Sequence, residues 1–194
     1  MERPEMTHND WKWKIGEAIT RIQTRYDFIG RKTGVPFLAV VYPVSAEVAV
    51  LREWHTQARA LQPDIDVKTV DVLTVTQSVL SDIGVDNVVE SLTDREWGVS
   101  AQEDLSRLWV SAIADEVRLR MTEESSGKPV LSIEHISALY PASGPWDVMQ
   151  SLWNDAELSL DCPVIVLIPG ALTGPRHYRF LDRRDEFMYR GDLL

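Results

Sequence analysis

Two polar residues near the end of an apolar run are the first candidates for chemistry. His135 and Ser137 stand two positions apart, so on a single strand they would share a face. A hydrolytic triad also needs a third residue to orient the histidine, and the sequence contains no Gly-x-Ser-x-Gly elbow. The spacing therefore favours a simple strand-end pair, and we assign no catalytic residue.

A phosphate-binding loop is the second kind of site to consider. The segment Gly30-Arg-Lys-Thr-Gly34 lacks the Gly-x-x-x-x-Gly-Lys-Ser/Thr spacing and precedes a predicted strand. After that strand, Tyr42-Pro-Val-Ser-Ala-Glu-Val48 offers neither glycine nor lysine to hold phosphate. Glu134 could imitate a metal-holding acid, but a surface or capped carboxylate explains it more simply. We expect no cofactor and no bound metal ion.

Arginine and aromatic residues are the third candidates, because both types are favoured anchors of protein interfaces. Eight of them crowd the end of the chain: Arg176, Arg179, Phe180, Arg183, Arg184, Phe187, Tyr189 and Arg190. Four tryptophans stand at predicted helix starts or in loops: Trp11, Trp13, Trp97 and Trp146. We predict that these residues bind a partner protein. The alternatives are a last strand with solvated charges and tryptophans that pack over the core edge.

Composition narrows the classes of function. The chain has 194 residues, a formal net charge of -10 and a single cysteine. Nucleic-acid binding depends on basic surface, so we expect no direct contact with nucleic acid. One cysteine excludes an internal disulfide framework. No apolar run approaches the roughly 18 residues of a membrane span, and no apolar signal region is evident at the start. We expect a cytoplasmic protein that does not contact membranes.

A β-α-β unit in the second half must position these residues. The runs Lys128–Pro141 and Cys162–Gly170 are too continuously apolar for strands with one wet face. Between them, Val148, Leu152 and Trp153 recur at helical spacing, as a crossover helix requires. The carboxyl ends of the two strands should therefore form one edge of any site.

Helices and strands alternate along the rest of the chain. An amphipathic helix is predicted near residues 10–29 and a first strand over 35–43. Residues 65–76 are typical of a partly polar strand nearer the edge of a sheet, and residues 77–126 follow a helical pattern. A last strand could form near Tyr178.

This order predicts a single α/β domain with a mostly parallel β-sheet flanked by helices. Its outline is P-loop-like but lacks the Walker A phosphate loop, and that comparison is one of fold only. We divide the domain into an N-terminal helical segment, residues 1–34, and an α/β core, residues 35–194.

Three pieces of sequence together resemble BrxB, an accessory component of the BREX bacteriophage-defence systems. They are the strand end Ser137-Ala-Leu-Tyr-Pro141, the strand Pro163-Val-Ile-Val-Leu-Ile-Pro-Gly170, and a tail that runs from Arg179-Phe-Leu-Asp182 to Phe187-Met-Tyr-Arg-Gly191. Their order and spacing carry the likeness, which covers about half of the chain. The chain is similar to a divergent or short member of the BrxB family.

The resemblance implies a small, cytoplasmic, non-catalytic subunit of a bacterial antiviral complex. It also implies a partner, the PglZ-like phosphatase-family subunit, and possible contact with other BREX components. The alternative from another class is a degenerate P-loop-like protein that binds or senses a nucleotide. Such a protein would use the cleft beyond Pro43, Tyr140 and Pro169, where ligands collect in parallel sheets.

Overall fold

Strands buried on both faces form the centre of the structure, as the apolar runs predict. The computed structural model describes residues 10–29, 33–94 and 96–194. Within those ranges the helices are α1 (Asp10–Arg25), α2 (Glu47–Arg59), α3 (Val72–Ile83), α4 (Val85–Thr93), α5 (Gly98–Thr122) and α6 (Pro145–Asn154). The strands are β1 (Phe37–Tyr42), β2 (Ile65–Asp71), β3 (Lys128–Glu134), β4 (Val164–Gly174), β5 (His177–Phe180), β6 (Arg184–Phe187) and β7 (Gly191–Leu193).

The parallel part of the sheet has the strand order β2-β3-β4-β1-β7. β1 pairs with β4 and β7, and β3 pairs with β2 and β4, in parallel register throughout. The predicted β-α-β unit is β3-α6-β4, and its two strands are neighbours, with Ile133 opposite Val166. The prediction of an α/β domain with a mostly parallel sheet is confirmed.

Helices cover both faces of this sheet. Successive side chains of a strand point to opposite faces, so β1 contributes to two cores. Phe37, Ala39 and Val41 belong to a core that includes the buried residues of α5 and α6. Leu38, Val40 and Tyr42 belong to a second core, which α1 and α2 cover. The helix of the N-terminal segment is therefore packed directly onto the sheet of the α/β core.

The end of the chain forms a β-hairpin rather than one last strand. Residues 164–169 of β4 pair with β1, whereas residues 170–174 pair antiparallel with β5. Gly170 joins the two parts with a φ of 154°, and a Cβ there would lie 2.1 Å from the carbonyl oxygen of Arg179. Only glycine fits this close approach. The hairpin β5–β6 therefore projects from the carboxyl end of the central strand β4.

The predicted strand over residues 65–76 is too long. β2 ends at Asp71, whose side chain accepts hydrogen bonds from the backbone N–H of Leu73 (3.1 Å) and the hydroxyl of Thr74 (2.9 Å). This N-cap starts α3 in a valine-rich stretch whose local preference is for strand. The predicted position near the sheet edge is correct, because β2 is the outermost strand on its side.

Lys68, one of the polar interruptions of β2, closes the end of α5. Its side chain is 8% exposed, and Nζ donates to the carbonyl oxygens of Arg120 (3.0 Å) and Glu123. The last carbonyl groups of a helix have no partner within the helix. Lys68 supplies one from the neighbouring strand.

We predict that Lys68→Met lowers the free energy of unfolding by about 1.5–3 kcal/mol, because it removes charged hydrogen bonds from buried carbonyl groups. Urea unfolding measures the change. Lys128→Met is the matched control, since that lysine is exposed on β3, and it should cost less than about 0.5 kcal/mol. Equal effects of the two substitutions would contradict the capping role.

Candidate functional site

The carboxyl ends of the parallel strands gather a polar group that we call the carboxyl-end cluster. It contains two His–carboxylate pairs and a Ser–Glu pair, contributed by Glu47, His55, Asp71, Glu134, His135 and Ser137. These residues come from α2, from the ends of β2 and β3, and from the short turn after β3. The sheet topology therefore assembles polar side chains from distant parts of the sequence at one edge.

Glu134 is buried rather than a surface carboxylate, being 1% exposed. One of its oxygens accepts a hydrogen bond from the hydroxyl of Ser132 (2.8 Å), and the other lies 2.6 Å from Nε2 of His55. Ser132 in turn accepts from Nε1 of Trp54 at 2.9 Å. A buried carboxylate needs such partners to offset its lost hydration. Glu134 therefore holds β3 to α2 from within the protein.

His135 and Ser137 do not share the face of one strand, so that prediction is wrong. β3 ends at Glu134, His135 has a left-handed φ of 53°, and Ser137 lies in the turn that follows. His135 Nδ1 lies 2.9 Å from Asp71, whereas Ser137 donates to Glu47 at 3.2 Å. The change of backbone conformation at His135 sends the two side chains to different partners.

Hydrogen bonding favours the ionised form of Asp71. Burial alone would raise its pKa, but hydrogen bonds from Thr74 and His135 outweigh this effect and leave the pKa below its ordinary value. The cluster thus presents carboxylates where a P-loop-type fold would hold phosphate. Like charges repel, so this edge is electrostatically unfavourable for the phosphate groups of a nucleotide.

The second candidate site lies on the hairpin at the chain end. Arg176, Phe187, Tyr189 and Arg190 line one depression of about 350 Å³. Trp146, at the start of α6, adds a ring whose centroid lies 5.9 Å from Phe187 and 6.1 Å from Tyr189. We call these five residues, together with Arg183 in the turn between β5 and β6, the Arg–aromatic surface.

The arginines predicted to bind a partner fall into two groups. Arg179 pairs with Asp185 at 2.7 Å, and Arg184 pairs with Glu186 and Asp147, both at 3.1 Å. Arg176, Arg183 and Arg190 form no ion pair with any residue in the described ranges. Arg190 instead stacks on the ring of Trp153, with 4.8 Å between the guanidinium carbon and the centroid. The second group therefore carries the charge that a partner could meet.

Glu186 anchors the hairpin to the core, which the sequence did not reveal. This buried carboxylate accepts hydrogen bonds from the hydroxyl of Tyr178 (2.8 Å) and the backbone N–H of Trp146 (3.0 Å). The latter is an unsatisfied donor in the first turn of α6, where a negative charge is favourable. Burial nevertheless raises the pKa of Glu186, and Arg184 supplies the opposing positive charge.

The remaining predicted anchors lie elsewhere. Phe180 and Trp11 are buried, one in each core, so they stabilise the fold and present no surface to a partner. Trp13 on α1 and Trp97 beside α5 are largely exposed, but neither lines the depression of the Arg–aromatic surface. The structure brings together Trp146 and the chain end, and it leaves the other three tryptophans apart from them.

We predict that Arg184→Gln lowers the free energy of unfolding at neutral pH by about 1–3 kcal/mol, because it leaves a buried carboxylate without its counter-charge. The raised pKa of Glu186 sets the sign of the pH dependence. The stability that Glu186 contributes is present below the pKa that this residue has in the unfolded chain. It is lost as pH rises through the pKa of Glu186 in the folded protein.

The deficit of Arg184→Gln should therefore shrink as Glu186 becomes protonated in acid. Chemical denaturation at several pH values measures it. Arg183→Gln is the adjacent control and should change stability by less than about 0.5 kcal/mol, because Arg183 is exposed. A deficit that is constant with pH would contradict the electrostatic role of Arg184.

Comparison with known proteins adds no relative to these observations. No protein-family model, curated protein or solved structure matches the chain. Among the residues that the structure describes, no helix combines the length and apolar character needed to cross a membrane.

Proposed function

We propose that this protein is a non-catalytic interaction subunit of a BREX-type anti-phage complex and binds the PglZ-like subunit. The observation that carries the proposal is a group of arginines that form no ion pair among the described residues, placed on or beside the hairpin that also carries an exposed aromatic ring. The resemblance of the chain end to BrxB supplies the class of partner. The site of action would be the cytoplasm.

The physical basis is the chemistry of the Arg–aromatic surface. Phe187 is 45% exposed, so a partner could bury further apolar area there. Arg176, Arg183 and Arg190 could form bidentate hydrogen bonds with carboxylates, and they lose no internal ion pair in doing so. Aromatic and arginine side chains of this kind contribute most of the binding energy in many interfaces.

Rigidity of the hairpin also supports the proposal. The contacts of Glu186 with Tyr178 and Trp146 fix β6 against the start of α6 before any partner arrives. Arg179 and Asp185 join the two strands of the hairpin across directly paired positions. A surface that is already ordered loses less conformational entropy on binding, so more of its contact energy appears as affinity.

The carboxyl-end cluster fits a structural role within this proposal. The carboxylate of Glu134 forms hydrogen bonds with Ser132 and His55 inside the protein. Asp71 caps α3 and also contacts His135. These side chains hold helices to the ends of the strands, which is the task that buried polar groups perform in many cores.

We predict that the purified chain forms a stable stoichiometric complex with the PglZ-like protein and that Arg183→Glu weakens it at least tenfold, which corresponds to about 1.4 kcal/mol. Size-exclusion chromatography and calorimetry measure the complex and its affinity. The substitution reverses a charge at an exposed position, so folding should be unchanged.

Arg52→Glu is the matched control, because Arg52 is an exposed arginine on α2 without an ion pair among the described residues. It should leave the affinity within about twofold, since α2 contributes no residue to the Arg–aromatic surface and salt weakens the effect of an exposed charge with distance. A chain that elutes alone at every salt concentration would refute the proposal. A rise in melting temperature with a nucleotide, and none with the partner, would favour a nucleotide sensor.

A further inference from the structure

Helix α4 carries an apolar stripe that the described residues cover only in part, with Val88 packed against the core. Val85, Val88, Val89 and Leu92 stand at positions i, i+3, i+4 and i+7, the spacing of one helix face. Such a face normally packs on a core, yet α4 contains no buried residue, and Val89 is 54% exposed. The spacing and exposure of the stripe are typical of a helix face that binds another protein.

A groove runs beside this stripe, between α4 and α5. Val88 and Leu92 line it from α4, and Leu105 and Leu108 line it from α5, with an accessible volume of about 180 Å³. Leu105 is buried at the floor, whereas Leu108 is exposed. The groove has room for the tips of side chains, and its apolar walls continue onto the exposed valines of α4.

Close contacts between described residues at the ends of the two helices shape the groove. A Cβ at Gly98 would lie 2.8 Å from the carbonyl oxygen of Leu92, so the helices approach more closely than a larger residue allows. The side chain of Asp94 accepts hydrogen bonds from the backbone N–H groups of Glu96 (2.7 Å) and Trp97 (3.0 Å). These bonds satisfy donors at the start of α5 and hold the helical hairpin in one geometry.

Acidic side chains accompany the apolar stripe. Asp82, Asp86, Glu90 and Asp94 recur at every fourth residue, and residues 82–94 include no lysine, arginine or histidine. Within the described ranges, the first three of these carboxylates form no ion pair. Their charge is therefore available to an approaching molecule.

We propose that the α4–α5 groove is a docking surface for a basic amphipathic helix of a partner protein. An apolar helix face would cover Val85, Val89 and Leu92, and lysine or arginine side chains at its flanks would meet the acidic residues. Helix-in-groove binding of this kind is read from anchors at the same i, i+3, i+4 and i+7 spacing. Because acidic side chains accompany the apolar stripe, the partner helix should carry positive charge.

The charge also argues against two other occupants. A second copy of the chain would bring its own acidic row against this one, and each copy has a net charge of -10. An anionic lipid surface would be repelled in the same way. The groove and the Arg–aromatic surface lie on different elements, so this inference does not depend on the proposed partner of the latter.

A labelled peptide tests the inference directly. The probe is about 18 residues long, or roughly five helical turns, with leucine at the i, i+3, i+4 and i+7 positions and lysine elsewhere. Fluorescence anisotropy with the full chain measures its affinity. Two control peptides separate the contribution of the apolar spacing from that of the charge. One has the same composition in scrambled order, and the other carries glutamate in place of lysine.

We expect saturable binding of the probe and at least about tenfold weaker binding of both control peptides. Val89→Lys should weaken binding by at least about tenfold, because it places a positive charge on the apolar stripe, where it would repel the lysines of the probe. Val48→Lys, at a 72% exposed valine on α2, should change it by less than about twofold.

Several results would overturn the inference. Equal binding of the scrambled peptide would show that only general attraction between charges is at work. Equal effects of Val89→Lys and Val48→Lys would place the peptide elsewhere. A dimer in sedimentation experiments that dissociates on Val89→Lys would identify a second copy as the occupant. Absence of binding at low salt would remove the basic helix as a partner.

Discussion

Strand β4 is the constraint on which the rest of the structure depends. Its first part lies between β1 and β3 in the parallel sheet, and its last part pairs antiparallel with β5. Gly170 makes the change of partner possible, because its backbone approaches Arg179 too closely for any side chain. The same strand therefore closes both cores and carries the hairpin on which the Arg–aromatic surface is built.

Charge is divided unevenly over this framework. The chain is strongly acidic, yet the arginines that form no ion pair among the described residues include three in the hairpin region: Arg176, Arg183 and Arg190. Acidic side chains dominate the carboxyl ends of the parallel strands and helix α4. Under the proposed function, opposite charges on separate surfaces would allow one small protein to recognise partners of different character.

The sequence predicts the buried parts of the fold better than its boundaries or its site. Continuous apolar runs such as Val164–Ile168 require burial on both faces, so the parallel sheet follows from them. The end of β2 depends instead on the Asp71 cap, and the end of β3 on the left-handed conformation at His135. Each is a single-residue effect within a stretch of strand-forming sequence.

The division between paired and unpaired arginines was not predictable, because it depends on contacts between distant segments. Arg184 is paired because Glu186 and Asp147 meet across the hairpin and α6, whereas its neighbour Arg183 faces solvent. Hydrogen exchange of the chain, alone and with the PglZ-like protein, tests the central claim most directly. The account predicts slower amide exchange at residues 183–190 and near Trp146, with residues 134–139 unchanged. Protection confined to residues 134–139, in a complex that does form, would contradict it.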